Sequence, residues 1–153
     1  MARAGFTAIS AGRISFRKDG RWYCDGEPIV NRAICRLYAR AMTVDENGDA
    51  RLELGEDRAL VDVEDTPWVV TGIDGNPEDG IDLVLNDESR ERLDLGTLTV
   101  GADDVLYARA RGGLRVRFLR PAYYHLMRHA EPAPGGACRL RSGDREITLR
   151  APS

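Results

Sequence analysis

The chain has 153 residues, of which 42% are hydrophobic and 31% charged, with a net charge of −3 and a pI near 5.5. This length suits one domain or two very small ones, and this composition can form a hydrophobic core. The acidic balance argues against general duplex DNA or RNA binding, which normally needs an excess of basic residues. The apolar runs are only a few residues long, which excludes a membrane-spanning helix.

The three cysteines are unevenly spaced and form no CxxC pair: Cys24, Cys35 and Cys138. We therefore expect reduced thiols in a cytoplasmic protein. Residues 1–12, MARAGFTAISAG, lack the apolar core and the cleavage pattern of a secretory signal.

In the first half, a strand over Ile14–Phe16, a turn at KDG and a strand in RWYC predict a hairpin. Pro28 suits the first turn of a helix, which we expect to run to about Met42. Its predicted apolar stripe has i, i+3, i+4, i+7 spacing and consists of Val30, Ala33, Ile34, Leu37 and Ala41. Two strands follow, in ARLEL and RALVDVE.

In the second half, WVVTGI, IDLVL and RLDLGTLTV predict strands, and VLYARARGGLRVRFLR predicts a long hairpin. Pro121 opens a second helix, whose apolar stripe is Tyr123, Leu126, Met127 and Ala130. The segment CRLRSGDREITL predicts a last hairpin, with a turn at SGD.

The same order of elements occurs twice. Gly20 precedes Pro28 by eight residues, and Gly113 precedes Pro121 by eight. A helix and then a hairpin follow each proline, which indicates duplication of a β-hairpin–helix–β-hairpin unit. We predict an α+β fold with antiparallel sheets, with an N-terminal repeat over residues 13–64 and a C-terminal repeat with extra strands over 65–150.

The segment DENGDARLELGE, residues 45–56, has polar residues at the ligand positions of an EF-hand calcium loop. Position six, however, is Ala50 instead of the required glycine, and the strand-like RALVDVE replaces the second helix. The second repeat also loses nearly all of these carboxylates. We therefore interpret Asp45–Glu56 as a hairpin turn and expect no metal site, although weak metal binding there stays open.

The order of five segments resembles the bacterial family known as domain of unknown function 1285: DGRWYCDGEPI, RLYARAM, VEDTPWVV, GLRVRFLRPAYYHLM and SGDREITL. The resemblance runs from about Ile14 to Leu149. It implies a duplicated α+β fold whose C-terminal half is superficially like a pleckstrin-homology domain. It also implies a ligand site between the halves for a nucleotide-like molecule, a role in signalling and no established enzymatic activity.

The hairpin YARARGGLRVRFLR carries alternating arginines. A three-residue loop with a glycine bulge would pair Arg109 with Arg117 and Arg111 with Arg115, placing four guanidiniums on one face. The other face would then be apolar. Because like charges on one face repel, two explanations are open. Either acidic neighbours such as Asp62–Asp65 or solvent balance the charge, or the face binds a phosphate or carboxylate ligand.

The segment VEDTPW adds three candidate ligand-binding residues. Trp68 could stack on a base, and Glu64 or Asp65 could accept hydrogen bonds from a ribose or amine. Alternatively, Trp68 is a buried core residue. His125 and His129 share a helix face, but no HExxH motif surrounds them, so exposed helix histidines are the better interpretation.

The chain contains no Gly-rich phosphate loop, GxSxG elbow or dinucleotide fingerprint. We therefore expect a non-enzymatic cytoplasmic ligand-binding or regulatory protein without a cofactor, whose ligand is an anionic nucleotide-like or phosphorylated small molecule near the junction of the two halves. The alternative is a protein-interaction module with no small ligand, using the acidic loop GIDGNPEDGID and exposed strand edges. An enzyme of unrecognised type is the third option.

Overall fold

The computed structural model describes residues 12–150. The expectation that no secretory signal is present concerns mainly residues 1–11, which lie outside this range. The described chain divides between Pro67 and Trp68 into two compact units. Neither of the two helices within residues 12–150 has the length and apolar character that a membrane span requires.

The first unit contains one helix and one six-stranded sheet. Its elements in chain order are β1 (Ile14–Phe16), β2 (Trp22–Cys24), β3 (Glu27–Pro28), α1 (Arg32–Ala41), β4 (Met42–Val44), β5 (Ala50–Leu54) and β6 (Asp57–Val63). The strand order in the sheet is β3-β2-β1-β6-β5-β4. All neighbours are antiparallel except β1 and β6, which are parallel and join the two hairpins of the repeat.

Pro28 does not open the first helix, contrary to the sequence prediction. It lies in β3 and pairs with Tyr23. The helix begins instead after Asn31, whose side-chain Oδ1 accepts hydrogen bonds from the N–H groups of Ala33 (2.9 Å) and Ile34 (3.2 Å). Asparagine is among the best N-cap residues because its oxygen satisfies N–H groups that have no partner within the helix.

The predicted apolar stripe of α1 is also wrong. Val30 is 86% exposed, and Ala33, Ile34 and Leu37 are exposed as well. The more buried face is one position further round the helix, with Cys35 half-buried and Tyr38 and Ala39 buried, and the same i, i+3, i+4, i+7 spacing continues to buried Met42 at the start of β4. An aromatic contact explains the choice of face: Tyr38 packs edge-on against buried Trp22, with ring centroids 5.5 Å apart, and so buries a large ring area.

The second unit contains the other helix and two sheets. Its elements are β7 (Val69–Asn76), β8 (Gly80–Leu85), β9 (Arg90–Arg92), β10 (Thr99–Val100), β11 (Leu106–Ala110), β12 (Leu114–Phe118), α2 (Arg120–Met127), β13 (Glu131–Pro132), β14 (Cys138–Ser142) and β15 (Arg145–Leu149). The six-stranded sheet has the order β10-β11-β12-β7-β8-β9, and β13-β14-β15 form a separate sheet. Short 3-10 turns occur at Leu95–Thr97, Ala102–Asp104 and Pro134–Gly136.

The predicted fold class is confirmed. Each unit contains a hairpin, a helix and a later hairpin in the predicted order, and each has a six-stranded sheet with mainly antiparallel pairs. Pro121 lies in the first turn of α2, as predicted. The two repeats differ in their last hairpin: β5 and β6 join the main sheet of the first unit, whereas β14 and β15 join the smaller sheet of the second.

The cap assignment predicts that Asn31→Ala lowers the free energy of unfolding by about 1 kcal/mol, because two helical N–H groups lose their acceptor. Asn31→Asp should retain most of the stability, since a carboxylate accepts the same bonds. Urea denaturation followed by circular dichroism measures both variants.

Pro28→Ala is the matched control and distinguishes the two helix starts. Because Pro28 is an exposed edge-strand residue, we expect a change within about 0.5 kcal/mol. A larger loss for Pro28→Ala than for Asn31→Ala would contradict the helix boundary.

Candidate functional site

The hairpin of β11 and β12 separates its side chains by face. The antiparallel register of β11 and β12 pairs Arg109 with Arg115 and Tyr107 with Arg117. The last pair before the loop is Ala110 with Leu114, so the loop consists of residues 111–113. The predicted pairing of Arg109 with Arg117 is therefore wrong, although the three-residue loop length is correct. The observed register differs from the predicted one by two residues. Because side chains alternate with a period of two, each strand residue still faces the predicted side of the sheet. The buried face holds the predicted residues Leu106, Ala108, Ala110, Val116 and Phe118.

The register shift removes Arg111 from the strand face. Arg111 lies in the loop with a φ of 52°, in the left-handed region that Gly112 and Gly113 also adopt. Its backbone N–H donates to the Glu91 carboxylate, at 3.0 Å from Oε2. The outer face of the hairpin therefore carries three arginines instead of four.

The guanidinium of Arg111 contacts the side chains of Asp87 and Trp68. One of its nitrogens lies 2.7 Å from Asp87 Oδ2, and its central carbon lies 4.1 Å from the ring centroid of Trp68. The Asp87 side chain is only 6% exposed, and it also accepts hydrogen bonds from the N–H and hydroxyl of Ser89. Arg111 thus neutralises a buried carboxylate and covers a buried indole.

Trp68 is a buried core residue of the second unit, at 2% exposure. Its ring contacts Arg111, so base stacking is not needed to explain its position. The sequence prediction missed Asp87 as the partner of the hairpin. The segment NDES does indicate a turn in which an aspartate accepts from the N–H two residues later, but nothing in it identifies Arg111 as a second partner.

Arg109, Arg115 and Arg117, which we name the arginine face, lie on the outer side of β11 and β12. Arg109 and Arg115 are exposed and directly opposite each other across the antiparallel pair. The Arg109 guanidinium donates to the carbonyl oxygen of Gly113 at 2.7 Å, and that of Arg115 lies 3.9 Å from the ring centroid of Tyr107. Within residues 12–150, neither Arg109 nor Arg115 forms an ion pair with a carboxylate.

The arginines of β9, at the far edge of the same sheet, have partners. Arg90 forms an ion pair with Asp74, and Arg92 Nε lies 2.8 Å from Asp82 Oδ1. These neighbouring carboxylates are therefore already neutralised by arginines other than those of the arginine face.

The acidic residues expected to balance the arginines belong to the first unit. Glu64 Oε1 accepts from the N–H of Lys18 at 2.8 Å, and Asp62 pairs with Arg13 at 2.6 Å. Asp65 is half-exposed and has interactions of its own. Glu64 lines a cavity of about 480 Å³ in the first unit together with Arg17 and Asp62.

The start of the EF-hand-like segment forms a hairpin turn, as predicted, but Ala50–Leu54 of the same segment form strand β5. Asp45 closes the turn between β4 and β5, since its Oδ1 accepts from the N–H groups of Asn47 and Asp49. Its other oxygen lies 3.1 Å from Arg51. In residues 12–150 no group of three or more His, Cys, Asp or Glu side chains is placed to hold a metal ion.

The histidines and cysteines lie in different surroundings. His125 is exposed on α2, and His129 follows the helix end and is half-buried, with ring centroids 6.1 Å apart. Cys24, Cys35 and Cys138 are free thiols. Burial raises the pKa of Cys35, which lies 3.3 Å from the carbonyl oxygen of Ile29. A raised pKa disfavours the thiolate and therefore a nucleophilic role.

These features define an α+β protein of two repeat-related units with an arginine-rich sheet face. Solved structures of similar fold include a DUF1285 family protein from Silicibacter pomeroyi DSS-3, with a TM-score of 0.67 and 19% identity over 90% of this chain and 78% of that one. A DUF1285 family protein from Shewanella baltica OS155 has a TM-score of 0.60 and 18% identity, covering 77% of this chain and 92% of that one.

The predicted resemblance is thus confirmed at the level of fold, since both neighbours are DUF1285 family proteins. No family model matches the sequence, and no curated protein matches it either.

The environment of Arg111 predicts that Arg111→Ala lowers the free energy of unfolding by about 1–3 kcal/mol, because the nearly buried Asp87 carboxylate loses a charged partner. Arg111→Lys should lose less, since it keeps the charge but not the planar group that stacks on Trp68. Urea denaturation with tryptophan fluorescence measures both changes.

Arg115→Ala is the control from the same hairpin. Its guanidinium has no carboxylate partner among the described residues, so we expect a change within about 0.5 kcal/mol. If Arg111→Ala and Arg115→Ala lowered the free energy of unfolding equally, Arg111 would have no special structural role compared with the arginine face.

Proposed function

We propose that this protein is a non-enzymatic ligand-binding or regulatory protein of the cytoplasm that binds an anionic small molecule through the arginine face. A nucleotide-like or phosphorylated molecule is the ligand class. One observation carries the proposal: Arg109 and Arg115 are opposite each other on exposed strands, and neither forms an ion pair with a described carboxylate.

Electrostatics supports an anion at this position. Two like charges directly opposite each other in an antiparallel pair destabilise it, so an arrangement of this kind gains free energy when an anion binds between them. Guanidinium groups suit phosphate and carboxylate oxygens because each presents several N–H donors in a planar fork. Tyr107, stacked under Arg115, restricts the guanidinium and reduces the entropy lost on binding.

The proposal predicts that calorimetric titration of the full chain detects binding of at least one member of a panel of nucleotides and phosphorylated metabolites. Arg109→Gln and Arg115→Gln should each weaken that binding about tenfold, equivalent to about 1.4 kcal/mol. Affinity should also fall as the salt concentration rises, because several charges contribute.

Arg90→Gln is the matched control, since it removes the same charge from the same sheet but from a residue paired with Asp74. Its affinity should stay within about twofold of the parent. The proposal would be contradicted if no member of the panel bound, or if Arg109→Gln, Arg115→Gln and Arg90→Gln lost equal affinity.

A protein-interaction module remains the alternative function, and the exposed side of α1 favours it. Ile34 and Leu37 are large apolar residues of α1 at 37% and 42% exposure, and Val30, just before the helix, is 86% exposed. Clusters of exposed apolar residues frequently mark contact surfaces.

Pull-down from a native lysate, followed by mass spectrometry, compares the parent with Leu37→Glu and Arg115→Gln. The alternative predicts a stoichiometric partner that Leu37→Glu loses and Arg115→Gln retains. Recovery of no stoichiometric partner would count against it.

A further inference from the structure

A cleft of about 510 Å³ lies in the second unit, where α2 approaches the small sheet of β13, β14 and β15. Its walls are mainly apolar and include Val100, Leu106, Tyr123, Met127, Cys138 and Leu149. This volume is within the range of about 300–1,000 Å³ that is typical of small-molecule sites. None of the three arginines of the arginine face lines the cleft, so it is a separate feature.

The apolar stripe of α2 explains how the cleft arises. Ala122 and Leu126 are fully buried and attach the helix to the core. Tyr123, Met127 and Ala130 are only half-buried, and all three line the cleft. The predicted stripe is therefore shared between the core and a concave surface. Apolar side chains that line a cleft instead of the sealed core favour a bound apolar group, because burial of their remaining surface is favourable.

The charged residues at the cleft are Asp104, Glu131 and Arg150, which give two carboxylates and one guanidinium. All three are exposed, as expected for the rim of a site. Within residues 12–150, neither carboxylate forms a hydrogen bond or an ion pair through its side chain. Arg139 lies opposite Glu131 across β13 and β14 but forms no ion pair with it. The rim therefore has an excess of negative charge that is available to a cation.

We propose that this cleft binds a small apolar amine, with its alkyl or aryl body against Tyr123 and Met127 and its ammonium group beside Asp104 and Glu131. Apolar burial supplies most of the affinity in such a site, and the charged groups select the sign of the ligand. The cleft and its ligand class are independent of the anion proposed for the arginine face.

Labelling of cysteines by iodoacetamide tests this proposal, because Cys138 lines the cleft and Cys24 belongs to the first unit. The full chain is labelled with and without n-octylamine at constant pH and ionic strength, and mass spectrometry gives the rate at each thiol. We expect n-octylamine to slow labelling of Cys138 and to leave Cys24 unchanged. Octanoate, which has a similar apolar body and the opposite charge, should protect Cys138 at least about tenfold more weakly.

Asp104→Asn should weaken protection by n-octylamine at least about fivefold, because it removes a charged partner of the ammonium group. Asp103→Asn is the matched control: both residues have a φ of 59°, which asparagine tolerates, but Asp103 does not line the cleft. Its protection should stay within about twofold of the parent.

Three results would each overturn the proposal. The first is no protection of Cys138 by n-octylamine, and the second is equal or better protection by octanoate. The third is an equal effect of Asp103→Asn and Asp104→Asn, which would mean that overall charge and not the cleft determines binding.

Discussion

The alternation of side chains along β11 and β12 determines the surface chemistry of the second unit. Val116 and Phe118 of β12 face the core, where they are 0% and 4% exposed. Since side chains alternate with a period of two, Arg115 and Arg117 must then face outward, and the register brings Arg109 opposite Arg115. The concentration of positive charge is thus a consequence of core packing.

The hairpin loop shows how one residue of the same pattern takes a different role. In the sequence, Arg111 continues the alternation of arginine and apolar residues. Its backbone is in the left-handed conformation, however, and its side chain contacts Asp87 and Trp68. A nearly buried carboxylate requires a charged or hydrogen-bonding partner, so this arginine serves stability. Only the arginines without such a carboxylate among the described residues support the proposed anion site.

The sequence predicted most of the strands, the start of α2 and the parity of the arginine hairpin, because these depend on local turn signals and on alternation. It failed at α1, where two stripes with the same helical spacing compete. The contact of Tyr38 with Trp22 decides between them, and that contact is not local in sequence. The partner Asp87 and the cleft beside α2 were missed for the same reason, since each joins elements that are distant along the chain.

Side-chain NMR of the arginine Nε–Hε groups, during titration of the full chain with pyrophosphate, tests whether the arginine face binds an anion. Pyrophosphate represents the charged part of the proposed ligand class and lacks any base or sugar. If the arginine face binds the anion, the Arg109 and Arg115 signals shift saturably, while the signals of Arg90 and Arg111, which are paired with Asp74 and Asp87, stay in place. Shifts spread evenly over all these arginines, or no saturable shift at Arg109 and Arg115, would contradict anion binding at this face.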